Sequence, residues 1–427
     1  MHVYFIGIGG TAIGPLALIA HQMGYRTSGS DKQDSNYIHY LAKQGITSVS
    51  ISNDDKNIQK AHDENPIDWV VYSSAVPIEN PDHPEIVFAK KNNIRHSKRD
   101  ELLNKILEDS GKKLIAIAGT HGKTTTTAMT IWLMKELGLP VSYSVGAKIP
   151  FGDMGHYDEQ SEYFVYECDE FDYNFLAFHP HISLITGIDY DHHDIFPTRE
   201  HYVDAFKKFM SQSARNVIWG SDITKNDLKI DDNDIILDDK DILLNELSIV
   251  GEVNRRNALQ VMHGLSSLIG RPVSDFIDIL EHFPGLSRRF EKLTGNLYTD
   301  YAHTPPKIAG CLQLAQEVSS NVVVVYEPLT NRRQHFIKEE YKDLFKGIKR
   351  LYWVPSYLAR EDPKQALLSP EQLIQELANK EIAEPAELDD SLKKSIEKHL
   401  KDGDLVVCMS GGGGNSLDEW LRKNFNN

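Results

Sequence analysis

Lys113-Leu-Ile-Ala-Ile-Ala-Gly-Thr-His-Gly-Lys-Thr-Thr-Thr-Thr127 is the stretch that decides the fold of this chain. Its apolar, β-type run Leu114–Ala118 breaks at Gly119-Thr120-His121-Gly122, and a helix-compatible run follows from Lys123 towards Leu137. Strand, glycine turn, Lys-Thr and helix are the parts of a phosphate cradle. Amides of the turn and of the helix N-terminus point at the anion, Lys123 neutralises it, and the Thr124 hydroxyl can hold Mg²⁺. Ile117 stands where the usual pattern has its first glycine, so the loop is a variant. A plain glycine turn is the bland alternative; Gly-Lys-Thr in this setting points to a nucleoside triphosphate.

Working outward, Glu162–Glu167 reads as a strand running into Cys168-Asp169-Glu170-Phe-Asp172, and Pro180–Thr186 as another ending in Asp189-Tyr-Asp191-His192-His193-Asp194. Acidic clusters are mostly solvated turns. Two at strand C-termini, where α/β sheets bind ligands, favour Mg²⁺ and catalysis. His192 is the strong histidine candidate; His62, His179 and His282 read as surface or packing residues. Residues 216–249 are polar and acidic with weak strand signals and no motif. Asn254 and Asn257 open an amphipathic helix on one face and can address a base.

Upstream, His2–Ile6 reads as a buried strand, followed by Gly7-Ile-Gly9-Gly10 and Gly14, a helix from Pro15 to Met23, and a short segment closing at Gly29-Ser30-Asp31. This is a dinucleotide-type βαβ opening with a non-standard glycine spacing. The expectation is a diphosphate at the first helix, Asp31 accepting from a ribose or base, and Ser73 and Ser74 after the strand Trp69–Tyr72 lining the same crevice. Glycines serving only helix–strand packing are the alternative. Downstream, Arg288-Arg289-Phe290, Asp300-Tyr-Ala-His303, Glu327-Pro-Leu-Thr-Asn331-Arg332 and Ser410-Gly411 sit among further βα units.

With 427 residues the prior is about three domains. The expected fold is α/β, with three domains on mostly parallel sheets: Rossmann-like over 1–108, P-loop ATPase-like over 109–283, Rossmann-like over 284–427. A net charge of −16 argues against nucleic acid as partner. Three scattered cysteines exclude a disulfide framework. No apolar run reaches membrane-spanning length, and the glycine-broken N-terminal stretch is not a signal peptide. A cytoplasmic monomer or weak homodimer is expected.

Taken in order, Gly119-Thr-His-Gly-Lys-Thr-Thr125, Glu167-Cys-Asp-Glu170, Asp191-His192, Asn254-x-x-Asn257, Arg288-Arg289-Phe290 and Asp300-Tyr-Ala-His303 resemble the Mur ligase family, ATP-dependent amide ligases of peptidoglycan precursor synthesis. His121 and the N-terminal glycine segment look like the branch that takes UDP-N-acetylmuramate itself. The resemblance implies an acyl-phosphate mechanism with ATP and Mg²⁺. Some relatives carry a carbamylated lysine near the position of Lys207, which the muramate branch generally lacks; a solvated lysine on its helix is the default. Lys123, His192 and Arg289 would be catalytic. Gly119–Thr125, Asn257, Arg289 and Asp300 would bind ATP, and Thr124, Glu167 and His192 would serve the metal. Gly7, Gly9, Gly10, Asp31, Ser73 and Ser74 would hold the UDP-sugar, and His303 and Arg332 the amino-acid end. L-alanine is the favoured amino substrate. Glu327-Pro-Leu-Thr-Asn331 leans instead to a murein tripeptide, and the four-glycine run and short central segment also depart from the branch. A nucleotide-gated switch without ligation is the different-class alternative; a dehydrogenase leaves Gly-Lys-Thr unexplained.

Overall fold

The computed structural model describes residues 1–52, 54–192, 195–359 and 361–425; His193 and Asp194 of the acidic stretch lie outside the described residues. The expected fold class holds: three sheets, mostly parallel, flanked by helices.

The first sheet has strands β1 (His2–Ile6), β2 (Arg26–Ser30), β3 (Val49–Ser50), β4 (Trp69–Tyr72) and β5 (Arg95–Lys98) in the order β3-β2-β1-β4-β5. All its pairings are parallel. The order reverses between β1 and β4, the switch point where such sheets take ligands beyond their carboxyl ends. The second sheet holds β6 (Lys113–Ala118), β7 (Ser142–Ser144), β8 (Gly155–His156), β9 (Tyr163–Glu167), β10 (Ile182–Ile185), β11 (Asn216–Trp219) and β12 (Ile235–Leu237). Its order is β12-β11-β10-β6-β9-β7-β8, antiparallel only between β7 and β8. The decisive stretch lies near its centre; five of the six residues of β6 are buried, as a strand covered on both faces requires.

One reading needs adjusting. The weakly patterned region after Asn216 supplies β11 and β12, because Val217, Ile218 and Trp219 are a short, fully buried run rather than an alternating one. The helix Arg99–Ser110 that leads into β6 stops at Gly111, which takes the left-handed conformation (φ 65°).

The described chain forms two compact units, residues 1–247 with 257–283, and residues 248–256 with 284–427. The first two sheets share one unit because one apolar cluster runs from Phe5 and Leu16 through Leu103 to Phe164 and Phe206. The second unit holds β13 (Glu291–Thr294), β14 (Leu297–Asp300), β15 (Val322–Glu327), β16 (Arg350–Trp353), β17 (Ala383–Pro385) and β18 (Leu405–Ser410), ordered β13-β14-β18-β15-β16-β17. Only the β13–β14 hairpin is antiparallel. Apolar clusters cover both of its faces, around Trp353 on one and Val406 on the other.

Candidate active site

The Gly119–Gly122 turn follows β6 directly and feeds the helix Lys123–Glu136. Gly119 (φ 137°) and Gly122 (φ 78°) take backbone conformations that side chains rarely adopt. Gly122 caps the helix with no side-chain acceptor, and the helix start presents the positive end of its dipole beside the turn. Thr120 is used inside the loop: its N–H donates to Gly187 O (2.9 Å), and its hydroxyl meets Tyr202 OH and Asp189 O (both 2.7 Å). It tensions the turn rather than offering its side chain to a nucleotide. Thr125 falls in the first turn of the same helix.

Around Lys123 the ends of β9 and β10 converge. Lys123 Nζ lies 2.6 Å from Glu170 Oε2 and donates to Gly119 O. Glu170 also faces His192 Nε2 at 3.6 Å and accepts from Tyr202 OH at 3.4 Å. Burial, the largest influence on Lys123, works against its charge, but Glu170, with Asp169 and Glu167, together outweigh it and hold the ammonium above its usual range. Burial likewise pushes Glu170 up, and Lys123 and His192 together bring it below the normal carboxylate range. Burial is the largest influence on His192 and lowers it, but the Glu170 bond and the charges of Asp191, Glu170 and Asp169 together outweigh it, so its net shift is upward. Asp189 is held low, first by its bond to His121, then by Lys225.

Oxygen donors suited to a hard cation are present. Thr124 Oγ1 donates to Glu167 Oε1 (2.9 Å), whose other oxygen accepts from Gly146 N (2.9 Å). Ligand atoms of Asp169, Glu170 and His192 lie within 4.8 Å of one another. The structure thus brings together Thr124 with Glu167, and His192 with Glu170. Sequence had quoted Glu170 without giving it a task. Which carboxylate turns inward depends on the backbone after β9, where Asp172 (φ 55°) and Tyr173 (φ 57°) are left-handed, a turn that residue type does not announce. Tyr202 and Asn174 were missed, since nothing in sequence marks a lone buried tyrosine or asparagine as a loop support.

Asn257 sits under the turn; a methyl on Gly122 would lie 2.7 Å from its Oδ1. Its Nδ2 is buried with no hydrogen-bond partner among the described residues, an orphan donor that suits a nucleotide base. Asn254, expected to act with it, instead donates to Val250 O (3.0 Å). Lys207 Nζ lies 3.8 Å from Asp204 on a partly exposed helix face, an ordinary ion pair.

The first sheet reaches this acidic cluster from the other side. Ser74, just past β4, donates to Asn174 Oδ1 (3.0 Å); Arg99, just past β5, meets Asp169 at 3.3 Å; Lys98 pairs with Asp172. In the N-terminal loop, Gly7 N and Ile8 N donate to Ser30 O (2.8 and 3.0 Å), Gly9 N to Asp31 Oδ2 (2.9 Å) and Gly10 N to Gly7 O (3.0 Å). These amides shape the loop, and Asp31 serves as its clamp. Ser73 follows β4 and stands next to Ser74.

Within the second unit, Arg289 and Arg288 both stack on the Tyr301 ring, at 4.9 and 4.7 Å. Asp300 accepts from Phe290 N (2.7 Å), and burial raises its pKa against the pull of Arg289. His303 is buried, Nδ1 2.7 Å from Tyr301 O, and a methyl on Gly411 would lie 2.9 Å from its ring. Arg332 opens the helix Asn331–Ile337, its N–H donating to Glu361 (3.0 Å). Glu327 is buried, tied to the Ser410 hydroxyl and to Leu417 N (3.0 Å), bracketing the four-glycine run.

Residues 2–110 match the Mur ligase family, catalytic domain; 117–237 match the Mur ligase middle domain, and 288–412 the Mur ligase, glutamate ligase domain. The chain is 30% identical to a UDP-N-acetylmuramate–L-alanine ligase of Clostridium acetobutylicum, over 96% of this chain and 95% of that protein. It is 31% identical to one of Carboxydothermus hydrogenoformans, over 97% and 95%. In fold it is similar to the crystal structure of a UDP-N-acetylmuramate-alanine ligase from Thermotoga maritima, with a TM-score of 0.76, 24% identity and coverage of 99% and 98%.

Proposed function

We propose that this chain, which belongs to the Mur ligase family, joins the lactyl carboxylate of UDP-N-acetylmuramate to L-alanine at the expense of ATP. The observation that carries this is the meeting, within one compact unit, of the Lys123 turn and the carboxyl ends of the first sheet, through Ser74–Asn174 and Arg99–Asp169. A sugar carboxylate delivered at the switch point of that sheet arrives at the end of β9, beside the lysine that would hold the γ-phosphate.

The carboxylate attacks the γ-phosphorus, ADP leaves, and an acyl phosphate remains. The amine of the amino acid then attacks the acyl carbon, and inorganic phosphate leaves with the carbon–oxygen bond pair. Two anions must approach in the first step, so positioning and charge neutralisation dominate. Lys123 exchanges Glu170 for the phosphates; the first-turn amides at Lys123–Thr125 orient them; Asn257 takes the base. Thr124 and Glu167, with Glu170 and His192 beside them, would hold Mg²⁺, which would supply positive charge against the phosphates. Gly7, Gly9, Gly10, Asp31 and Ser73 shape the UDP crevice. Arg289 and Asp300 are assigned to ATP, and His303 and Arg332 to the amino acid, with roles divided over 1–108, 109–283 and 284–427. Among the described residues no helix is long and apolar enough to cross a membrane, and a cytoplasmic site of action is part of this reading.

Of the stretch Glu327–Asn331 that leaned towards a tripeptide, Glu327 is held by Ser410 and Leu417 N and the Asn331 side chain by Ala366 O and Leu368 N, all inside its own domain, so it makes no case against L-alanine. Phosphate release with UDP-N-acetylmuramate and ATP, compared across L-alanine, glycine, L-serine and the tripeptide, tests the reading. Release highest with L-alanine is expected. Release that ignores the UDP-sugar would refute ligation.

A further inference from the structure

Glu85 carries a carboxyl that the reaction does not use, yet its side chain is 0% exposed. It accepts from Tyr4 OH (2.6 Å) and Ser30 Oγ (2.7 Å), so β1, β2 and the helix Pro84–Lys91 meet at one carboxylate. Both partners lie at the foot of the UDP-sugar crevice. Tyr4 is three residues before Gly7. Ser30 is the residue whose carbonyl takes the Gly7 and Ile8 amides, and its neighbour Asp31 takes that of Gly9.

We propose that Glu85 is a protonation-sensitive positioning residue that sets the shape of the N-terminal glycine loop through Ser30, and with it the affinity for the UDP-sugar. The inference rests on the functional reading above. Ionised, Glu85 offers an acceptor to each hydroxyl. Protonated, one of its oxygens becomes a donor, so the hydroxyl facing it must turn from donor to acceptor, and the charge-assisted grip on Tyr4 and Ser30 becomes a weaker neutral one. The charged groups acting on it are Asp54, ahead of the helix Asp55–Glu64, and Asp31, beyond β2; both disfavour its ionisation. His83 lies two residues earlier, with burial lowering its pKa. Burial, against the two hydroxyl bonds, leaves Glu85 pushed up to about 7, where cellular pH can move it. The ligand's carboxylate and diphosphate diester keep their charges over that range, so a pH response belongs to the protein.

Calorimetric titration of the full chain with UDP-N-acetylmuramate, without ATP, at about pH 6 and about pH 8 tests this. The wild type is expected to bind more tightly at the higher pH. Glu85→Gln, which fixes the neutral pattern, is expected to bind roughly tenfold more weakly at the higher pH and to lose the pH response, the size of one charge-assisted hydrogen bond. Ser30→Ala, which leaves the carboxyl in place, is expected to do the same. Both should keep wild-type ATP affinity, which a general loss of folding would not. A Glu85→Gln or Ser30→Ala variant with the wild-type affinity and pH response overturns the proposal, and so does an equal loss of ATP binding. A wild type that binds the sugar equally at both pH values overturns it while leaving the functional reading standing; a wild type that binds none overturns both.

Discussion

Replacing Glu170 by Gln removes the counter-charge of Lys123 while keeping the shape of the side chain. Glu170 is 1% exposed and its carboxylate stands 2.6 Å from Lys123 Nζ. At an effective dielectric of about 20, two unit charges at that separation attract by about 6 kcal/mol. Desolvation of both groups cancels roughly half, and breaking one side of a buried pair typically costs about 3 to 5 kcal/mol. His192, raised by the same carboxylate, loses its partner too. The expected outcome is a ligand-free protein about 3 kcal/mol less stable, read as a fall in the midpoint of the first-unit transition in thermal or urea unfolding. ATP should recover part of the loss, because its phosphates give Lys123 a new counter-charge; the variant should therefore show a larger ATP-induced shift than the wild type. An unchanged midpoint without ATP, or an ATP shift no larger than that of the wild type, would refute the assignment of this pair as the ligand-free state of the phosphate lysine.

Lys123→Ala should lower UDP-sugar-dependent phosphate release by far more than tenfold; activity within about tenfold of wild type, roughly 1.4 kcal/mol, contradicts a phosphate role. Asn257→Ala should weaken ATP binding by about tenfold and leave UDP-sugar binding unchanged in separate titrations, since the orphan donor lies beneath the Lys123 turn. In the second unit, Glu317 is held at about 2, mainly by the Arg255 guanidinium at 2.9 Å, helped by Gly251 N and Gln313. A depressed carboxylate stabilises the fold above its unfolded pKa, and this contribution is lost as pH falls from about 4.5 towards 2. Glu317 is 30% exposed, so the contribution is discounted to about 1 kcal/mol; Arg255→Ala should remove this acid sensitivity in pH-dependent urea unfolding, and an unchanged profile would count against it.

Local chemistry reads directly from a chain. Leu114–Ala118 followed by Gly-Thr-His-Gly-Lys-Thr states a strand, a glycine turn and an anion-binding helix start, because each depends on neighbours a few residues away. The βα alternation and the acidic ends of β9 and β10 were legible on the same ground, as was the grouping of Thr124 with Glu167 as oxygen donors. Tertiary structure alone decided which carboxylate faces Lys123: Glu170, forty-seven residues away, turned inward by left-handed residues that follow it. It also decided that Asp31 closes the loop it was expected to serve, that Asn257 stands alone under Gly122, and that Val217–Trp219 completes a sheet its flanks conceal. Those outcomes are settled by partners distant in the chain, whose burial and hydrogen-bond demands are met only once the sheets have packed.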